Sequence, residues 1–323
     1  MTLEELRALA HAIRTEVQRA VHGQDRIVDL LLIALFARGH CLLEGPPGTA
    51  KTLLAQSLAS ALSLDFKRIQ FTPDLMPGDV LGSNIFDFSS SQFNLVRGPV
   101  FTDILLIDEI NRAPPKTQAA LLQVMNERKV TIDGKDYRTG GNDGSDVFFV
   151  VATQNPIEHQ GTYPLPEAQL DRFLFKLVLD FPAEADELEI LRRHSTQALD
   201  HEARRADIRP AADLDAIRAG QALVDSIRLD ERILRYVLDL VRATRVEGDI
   251  QHGASTRAAD ALCGAVRAAA ALDGRDYAIP DDVKRLYPLA MHHRIVLGPA
   301  AEIEGRDAMS VLDQVVNRAE APR

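Results

Sequence analysis

Residues 45 to 52 combine glycines, a lysine and a threonine in a spacing that suits the binding of phosphate groups. The segment reads Gly45-Pro46-Pro47-Gly48-Thr49-Ala50-Lys51-Thr52. Glycines allow backbone N–H groups to converge on an anion at the N-terminus of the following helix. We expect the Lys51 ammonium to reach the β- and γ-phosphates of a nucleotide and the Thr52 hydroxyl to hold Mg²⁺. The segment therefore predicts a site for a nucleoside triphosphate and its metal ion, bound by residues 45 to 52.

Ala50 departs from this pattern, in which a glycine usually precedes the lysine. A positive φ is strained for alanine and not for glycine, so the sequence leaves the backbone conformation there open. A chance Gly/Pro turn is the alternative for the whole segment. The phosphate site is favoured because residues 40–44 read as a buried strand before it and residues 53–62 have helical apolar spacing after it.

Polar side chains also follow two other apolar runs. Asp108 and Glu109 come directly after residues 104–107, and Asn155 comes shortly after residues 147–152. Strands of an open parallel sheet end at one crevice, so these groups should face the phosphates. Asp108 would bind Mg²⁺ through its water shell, Glu109 would polarise the attacking water, and Asn155 would hold the γ-phosphate or that water. The alternatives are the acidic start of a helix and an ordinary Asn-Pro turn.

Two arginines in the second half of the chain are further candidates. Arg172 lies well after the predicted strand ends in sequence, so it could reach the nucleotide of a neighbouring subunit instead of its own. Ser255 is a good helix N-cap, which places Arg257 in the first turn. A cation there opposes the helix dipole, so Arg257 is better explained if it pairs with an anion. An ordinary surface arginine is the alternative for both.

The elements that must position these residues follow from apolar periodicity. Four mostly apolar runs predict core strands at residues 40–44, 104–109, 148–152 and 174–179, and an alternating segment predicts a fifth at residues 66–71. Helical segments between most of them indicate a doubly wound α/β domain with a parallel sheet. From residue 183 only helical patterns follow, at residues 184–197, 213–226, 230–245, 255–272 and 280–292. We therefore predict an α/β nucleotide-binding domain at residues 1–182 and a smaller, all-helical domain at residues 183–323.

The remaining segments predict peripheral structure. An amphipathic helix is predicted at residues 2–20, where it opens with a capping box, and a second helix follows from residue 25. The turn at 21–24 between them either lies beside the base of the nucleotide or only connects the two helices. Hairpins are expected within residues 82–98 and 129–147. The first carries exposed aromatic residues and is either a partner-binding loop or a flap packed on its own domain. Residues 200–212 read as a flexible connection, and the last twenty residues include a short helix.

Composition limits the class of protein. The net charge of −10 disfavours nucleic acid and anionic lipid as partners. No run approaches the ~18 apolar residues of a membrane span, and we expect no signal peptide. Cys41 and Cys263 are predicted to be free thiols, which suits a reducing cytoplasm. The pair His292-His293 lacks metal-ligand spacing and is expected on the surface at a helix end.

Taken together, these motifs resemble those of the MoxR-type AAA+ ATPases over nearly the whole chain. The resemblance rests on residues 45–52, 105–115, 152–156, 166–173 and 253–258, and the family pattern accepts Ala50. Thr256 stands where relatives commonly have proline, and His22 where they commonly have an apolar residue. The resemblance implies a P-loop NTPase fold in which the helical domain is the lid.

The resemblance also implies roles for single residues. Lys51, Thr52, Asp108 and Glu109 would serve phosphate, metal and water, and Asn155 would sense the γ-phosphate. Arg172 resembles an arginine finger that acts in trans, and Arg257 resembles the sensing arginine of the lid. ATP and Mg²⁺ are the implied ligands.

Family members form hexameric rings and tend to work with proteins that carry von Willebrand factor A domains. They act as chaperones that mature or activate client complexes. ATP hydrolysis coupled to movement of the helical domain is the mechanism this implies. Two alternatives stay open at this point: a nucleic-acid-translocating motor, and a scaffold that binds ATP without hydrolysing it.

Overall fold

The computed structural model describes residues 1–89, 91–141, 145–156, 161–196 and 208–322, with the side chains of residues 193–196 excepted. The first part of the chain contains α1 (Leu3–Gln18), α2 (Asp25–Phe36), β1 (Cys41–Glu44), α3 (Lys51–Leu62), β2 (Phe66–Gln70), α4 (Pro77–Leu81), β3 (Gly82–Asp87), β4 (Gln92–Arg97), β5 (Ile104–Asp108), a 3₁₀ turn (Ile110–Arg112), α5 (Pro115–Glu127), β6 (Lys129–Ile132), β7 (Lys135–Arg138), β8 (Phe149–Gln154), α6 (Glu167–Leu170) and β9 (Phe175–Val178). The second part contains α7 (Glu184–Thr196), α8 (Leu214–Asp225), α9 (Glu231–Ala243), β10 (Ile250–His252), α10 (Thr256–Leu272), α11 (Pro280–Met291), β11 (Val296–Leu297), α12 (Pro299–Ile303) and α13 (Ala308–Arg318).

The central sheet has five parallel strands, as predicted, and their order in the sheet is β2-β5-β8-β1-β9. Strands β5 and β8 are buried along nearly their whole length, which explains their continuous apolar sequence. The register pairs Gln70 with Asp108 and Glu44 with Gln154. The carboxyl ends of β1, β2, β5 and β8 therefore meet at one edge of the sheet.

The N-terminal helices join the sheet to the helical domain, which we define as α7 to α13 with β10 and β11. Thr2 and Glu5 form the predicted capping box of α1, and the apolar stripe of that helix is buried. Helices α1 and α2 both contact α10. One continuous apolar core therefore includes Leu6 of α1, Leu31 of α2 and Leu262 of α10.

Both predicted hairpins are present, as β3–β4 and β6–β7. The Phe88 and Phe93 side chains are 89% and 70% exposed, so the first hairpin does not pack on its own domain through these rings. Residue 90 and residues 142–144 lie outside the described residues. Residues 200–207 of the predicted connection at 200–212 also lie outside the described residues. In the described part of this connection, the Ala211 N–H donates to Ala61 O of α3.

Two features of the helical domain differ from the sequence prediction. Strands β10 and β11 form a short antiparallel ladder, which is too brief to leave a periodic pattern in the sequence. His292 and His293 were expected on the surface at a helix end. They do follow the end of α11, but His293 is buried and His292 is half-buried, so the surface position was wrong for His293. Helix α11 packs against the edge strand β9, and His293 and Arg294, which follow the helix, are buried. Burial lowers the pKa of both imidazoles, and His293 Nε2 lies 2.9 Å from Phe173 O.

Cys41 is buried, Cys263 is half-buried, and both are free thiols, as predicted. Across the described ranges, no helix has the length and apolar character needed to cross a membrane. The last strand of the sheet ends at Val178 and α7 begins at Glu184. The domain boundary at residue 182 falls between them and stays a prediction.

Candidate active site

The loop between β1 and α3 has the strained backbone that the sequence left open. Ala50 has φ 61° and ψ 22°, a left-handed conformation that costs a non-glycine residue about 1–2 kcal/mol. Gly45 is required for space, because a Cβ there would lie 2.5 Å from Leu179 O. Lys51 Nζ donates to Gly45 O and Pro46 O at 2.7 Å each, and lies 3.3 Å from Thr49 Oγ1. The ammonium is therefore held at the mouth of the loop by oxygens of the loop itself.

The pKa of Lys51 is lowered, chiefly by desolvation, and the nearby charges of Asp108 and Glu109 oppose that shift. These carboxylates thus lie close enough to the ammonium to act on it. The lysine and the acids come from separate segments of the chain. They converge because β1 and β5 end at the same edge of the sheet.

Asp108 lies at the centre of the site, and its side chain is only 7% exposed. Its Oδ1 accepts from Thr52 Oγ1 at 3.2 Å and from Thr153 Oγ1 at 3.4 Å. Its Oδ2 accepts from Arg68 Nε at 2.6 Å. A hydroxyl from α3, a hydroxyl from β8 and a guanidinium from β2 therefore meet on one carboxylate.

Glu109 leaves the end of β5 in a left-handed conformation, with φ 57° and ψ 54°. Its N–H donates to Thr153 Oγ1 at 3.0 Å, which anchors this strained residue to β8. Its Oε2 accepts from Gln70 Nε2 at 2.7 Å and lies 2.8 Å from Arg112 Nε. The carboxylate is thus oriented by two side chains from different segments.

One cleft of about 750 Å³ brings the candidate groups together. Lys51, Thr52, Asp108, Glu109 and Asn155 all line it, as do residues 47–50 of the loop. Gly45 and Pro46 do not line the cleft. Their carbonyl oxygens instead accept hydrogen bonds from Lys51 Nζ. The lining also includes Val21, His22 and Gln24, which favours the interpretation that the turn at 21–24 lies beside the nucleotide.

Arg172 and Arg257 are not among the residues that line this cleft. The Asn126 amide, oriented with its oxygen toward Arg172, accepts from Nε at 3.3 Å and from Nη1 at 3.1 Å. Desolvation lowers the pKa of Arg172, and the positive charge of Arg257 lowers it further. Arg257 is exposed at the N-terminus of α10. The two arginines therefore act on each other electrostatically, and neither lines the cleft of its own chain.

Four residues of the site were not identified from the sequence: Arg68, Gln70, Arg112 and Thr153. Gln70 ends β2, so the strand-end argument used for Asp108 and Asn155 would have found it had it been applied to residues 66–71. Arg68 lies two residues before Gln70 in the same strand. Thr153 directly follows the apolar run 147–152, so the same argument applies to it. Arg112 carries no comparable signal, because its role depends on the turn after β5.

The oxygen donors of the site fit a magnesium ion. No cluster of three or more His, Cys, Asp or Glu side chains suited to a metal occurs in the part of the chain that the structure describes. Mg²⁺ needs few protein ligands, since it keeps several waters and binds substrate phosphates. The Thr52 hydroxyl and the Asp108 carboxylate, 3.2 Å apart, are hard ligands of the kind that Mg²⁺ prefers.

Comparison with known proteins gives a consistent assignment. The sequence pattern of the ATPase family associated with various cellular activities (AAA) matches residues 40–175, and that of the AAA lid domain matches residues 242–315. The chain is 42% identical to YeaC of Bacillus subtilis, over 99% of this chain and 97% of that protein. It is 39% identical to the chaperone MoxR1 of Mycobacterium tuberculosis, over 99% of this chain and 84% of that protein.

A solved structure supports the same fold. A crystal structure of a protein from Cytophaga hutchinsonii matches with a TM-score of 0.89 and 36% identity, over 99% of this chain and 97% of that one. The match extends over the sheet, the helical domain and the connection between them. With the P-loop, the acidic strand end and the lid domain in place, the chain belongs to the MoxR group of the AAA+ ATPases.

Proposed function

We propose that this protein hydrolyses Mg-ATP and uses the reaction to remodel or activate a partner protein complex. The observation that carries the first part is the convergence of Lys51, Asp108, Glu109 and Asn155 on one cleft from three separate strand ends. An ATP-binding scaffold needs the lysine and the metal ligands. The oriented Glu109 carboxylate and the Asn155 amide are additional groups that only hydrolysis requires.

The chemistry follows from the positions of these groups. The P-loop and Lys51 bind the phosphates. Thr52 and Asp108 would hold Mg²⁺, which would supply positive charge to offset the charge of the phosphates. Glu109, oriented by Gln70 and Arg112, polarises the attacking water and takes its proton. The water attacks the γ-phosphorus in line as the bond from that phosphorus to the ADP oxygen breaks, which releases ADP and inorganic phosphate. Asn155 holds the γ-phosphate or the same water.

We propose further that Arg172 completes the site of a neighbouring subunit in a ring, which the family resemblance suggests is a hexamer. The position of Arg172 supports this, since it does not line the cleft of its own chain. The nearby Arg257 is proposed as the sensing arginine of the lid. An arginine finger supplied in trans can be worth on the order of 10³–10⁵ in rate. Hydrolysis should therefore depend on assembly.

The chaperone part of the proposal rests on relatives. MoxR1 of Mycobacterium tuberculosis is described as a chaperone, and it aligns with nearly the whole of this chain. We propose that movement of the domain at residues 183–323 against that at residues 1–182 acts on a client complex, together with a protein that carries a von Willebrand factor A domain. We place this activity in the cytoplasm, where Cys41 and Cys263 stay reduced.

Two variants test the proposal. Glu109→Gln should bind ATP with unchanged affinity and lose turnover by about 10²-fold or more, because the amide cannot accept the proton of the attacking water. Arg172→Ala should bind nucleotide normally, remain assembled and lose hydrolysis. Turnover at saturating Mg-ATP and binding of a fluorescent nucleotide analogue are the two measurements.

The outcomes separate this proposal from its alternatives. Wild-type protein that binds ATP and shows no turnover, alone or with its co-purified partner, would establish a scaffold. Salt-sensitive stimulation of turnover by DNA would establish a nucleic-acid motor. Full activity of assembled Arg172→Ala would exclude the trans role. Co-purification from the native cell identifies the partner directly.

A further inference from the structure

A buried guanidinium joins the helical domain to the loop that carries Arg172. Arg294 follows α11, and its side chain is 2% exposed. Its Nε lies 2.7 Å from Asp171 Oδ1, and the two residues are 123 positions apart in sequence. We call residues 171–174 the Arg172 loop. The ion pair between Arg294 and Asp171 therefore ties this loop to the end of a lid helix.

The remaining N–H groups of Arg294 bind backbone oxygens on both sides of Arg172. Nη2 donates to Asp171 O at 3.1 Å and to Phe173 O at 2.8 Å, and Nη1 donates to Leu174 O at 3.1 Å. The second Nη1 proton is donated to Ala290 O of α11, the helix that precedes Arg294. All five donors of the guanidinium are thus in use. Three of them fix the backbone of the Arg172 loop itself.

Asp171 also connects this loop to the helix that carries Arg257. Its Oδ2 accepts from Ser255 Oγ at 3.3 Å. The same Ser255 oxygen caps α10 by accepting from Ala258 N at 3.3 Å. One carboxylate therefore bridges Arg294 at the end of α11 and the N-terminus of α10, in whose first turn Arg257 lies.

The short ladder between β10 and β11 explains how these groups meet. It pairs Ile250 with Leu297 and His252 with Val296. The segment before α10 and the segment after α11 are thereby held side by side. Ser255 and Arg294 consequently approach Asp171 from the same domain, although they are far apart in sequence.

Stability alone is a weak reason for this arrangement. The desolvation cost of a buried ion pair offsets much of its Coulombic gain, and apolar replacements of such pairs are often neutral or stabilising. Burial is the main factor that lowers the pKa of Arg294, and the Asp171 carboxylate opposes it. The guanidinium geometry instead gives orientation, since a planar fork with five donors restrains several acceptors at once.

We infer that Arg294 is a positioning residue that aligns Arg172 with the neighbouring subunit and moves the Arg172 loop with the helical domain. The inference rests on the proposed trans role of Arg172. Closure of the helical domain over a bound nucleotide displaces Arg294, Ser255 and Asp171 together. Nucleotide binding in the cleft of one subunit therefore changes the position of its Arg172, which acts on the cleft of the neighbouring subunit.

Three substitutions test the ion pair between Arg294 and Asp171, and a fourth serves as a matched control. Arg294→Met removes the charge and all donors, Arg294→Lys keeps the charge and loses the fork, and Asp171→Asn keeps the shape and loses the ion pair. The control is Arg275→Met, which breaks a bidentate salt bridge to Asp282 that is confined to the helical domain. If Arg294→Met does not fold, the other two variants carry the test.

Each variant of the pair should reduce turnover per assembled subunit by on the order of tenfold or more, with nucleotide affinity unchanged, because a small misplacement of a catalytic group is costly. Arg275→Met should lower thermal stability and retain wild-type turnover per folded subunit. Equal turnover for Arg294→Met and Arg275→Met, at equal assembly, would overturn the inference.

Mixed rings give a readout that a purely structural role cannot produce. Arg294→Met keeps an intact cleft, and Glu109→Gln keeps an intact Arg172 loop. When the two variants are co-expressed in equal amounts, about half of the subunits are Arg294→Met and have a competent cleft. In a head-to-tail ring, about half of these clefts face the intact Arg172 loop of a Glu109→Gln subunit. The mixture should therefore reach about a quarter of the wild-type rate per subunit. A rate no higher than the mean of the two separate variants would contradict the inference.

The same mixture made with Arg172→Ala separates this inference from the proposed function. If turnover recovers when Glu109→Gln is mixed with Arg172→Ala but not when it is mixed with Arg294→Met, the positioning role of Arg294 alone is refuted. No recovery with either would refute the trans role of Arg172, and the positioning role with it. Recovery with both, beside an unaffected Arg275→Met, is the expected result.

Discussion

Gln70 Nε2 lies 2.7 Å from Glu109 Oε2, which links the last residue of β2 to the residue that follows β5. The register of the sheet causes this contact, because it pairs Gln70 with Asp108, the immediate neighbour of Glu109. Arg112 Nε lies 2.8 Å from the same carboxylate oxygen. The orientation of Glu109 is therefore set by the sheet and not by its own rotamer preference alone.

Gln70→Leu should lower kcat by on the order of tenfold, because a carboxylate that loses an orienting donor samples unproductive positions. Nucleotide affinity should not change, since Gln70 acts on Glu109 and not on the loop at residues 45–52. Steady-state turnover together with equilibrium nucleotide binding separates the two effects. A rise in kcat would mean that Gln70 restrains Glu109 instead of aligning it.

Arg68→Met should reduce the Mg²⁺ concentration needed for half-maximal turnover. Arg68 Nε lies 2.6 Å from Asp108 Oδ2, so its guanidinium competes with the metal for the same carboxylate. The arginine side chain is 49% exposed, and we therefore expect a shift of only about two- to fivefold. A Mg²⁺ titration at fixed ATP measures it, with Arg68→Lys as the charge-conserving control. A higher Mg²⁺ requirement would show that Arg68 supports the nucleotide.

Gly220→Ala should destabilise the protein although alanine favours a helix by about 1 kcal/mol. The new Cβ would lie 2.5 Å from Phe36 Cε1 and 3.0 Å from Leu6 Cδ1, both in the core. Overpacking of this kind costs about 1–3 kcal/mol, so it equals or exceeds the gain in helix propensity.

Gly264→Ala is the matched control for this substitution. It lies in α10, and its nearest contacts would be Ala37 atoms at 4.0 Å. The helix-propensity gain should therefore appear there nearly in full, as about 1 kcal/mol of added stability. Chemical denaturation of both variants checks the pair. Equal shifts for the two glycines would contradict the packing argument.

His40 should make the protein less stable in mild acid. Burial lowers its pKa from 6.5 to about 4, and the hydrogen bond to Met125 O opposes that shift. Val150 N–H donates to His40 Nδ1, which leaves the proton on Nε2. Between these two pKa values the unfolded chain binds more protons than the folded one, so stability falls as the pH falls.

The expected loss from His40 between pH 7 and pH 5 is about 2 kcal/mol. The lowered pKa values of His292 and His293 act in the same direction. His40→Gln can keep one donor and one acceptor without titrating in this range, so its stability should depend less on pH. Denaturant midpoints across this range measure the difference. An identical pH dependence in both proteins would rule out His40 as a contributor.

Much of the fold could be predicted because its signals are local. Four of the five core strands lie in mostly apolar runs, and β2 shows an alternating pattern instead. Polar residues at the ends of β5 and β8 mark the edge where a ligand binds. The P-loop spacing places Lys51 and Thr52 at the start of α3. The backbone at Ala50 could not be predicted, because its left-handed conformation is imposed by the loop against the preference of alanine.

The sequence by itself determined the succession of core strands and helices along the chain, the phosphate-binding loop and the acids at the end of β5. These depend on short-range periodicity and on residue type, which the sequence displays directly. Only the tertiary structure decided that Gln70 holds Glu109, that His293 is buried against Phe173, and that Arg294 binds the loop around Arg172. These contacts join residues that are distant in sequence, and they form where separate elements pack together, which no local pattern encodes.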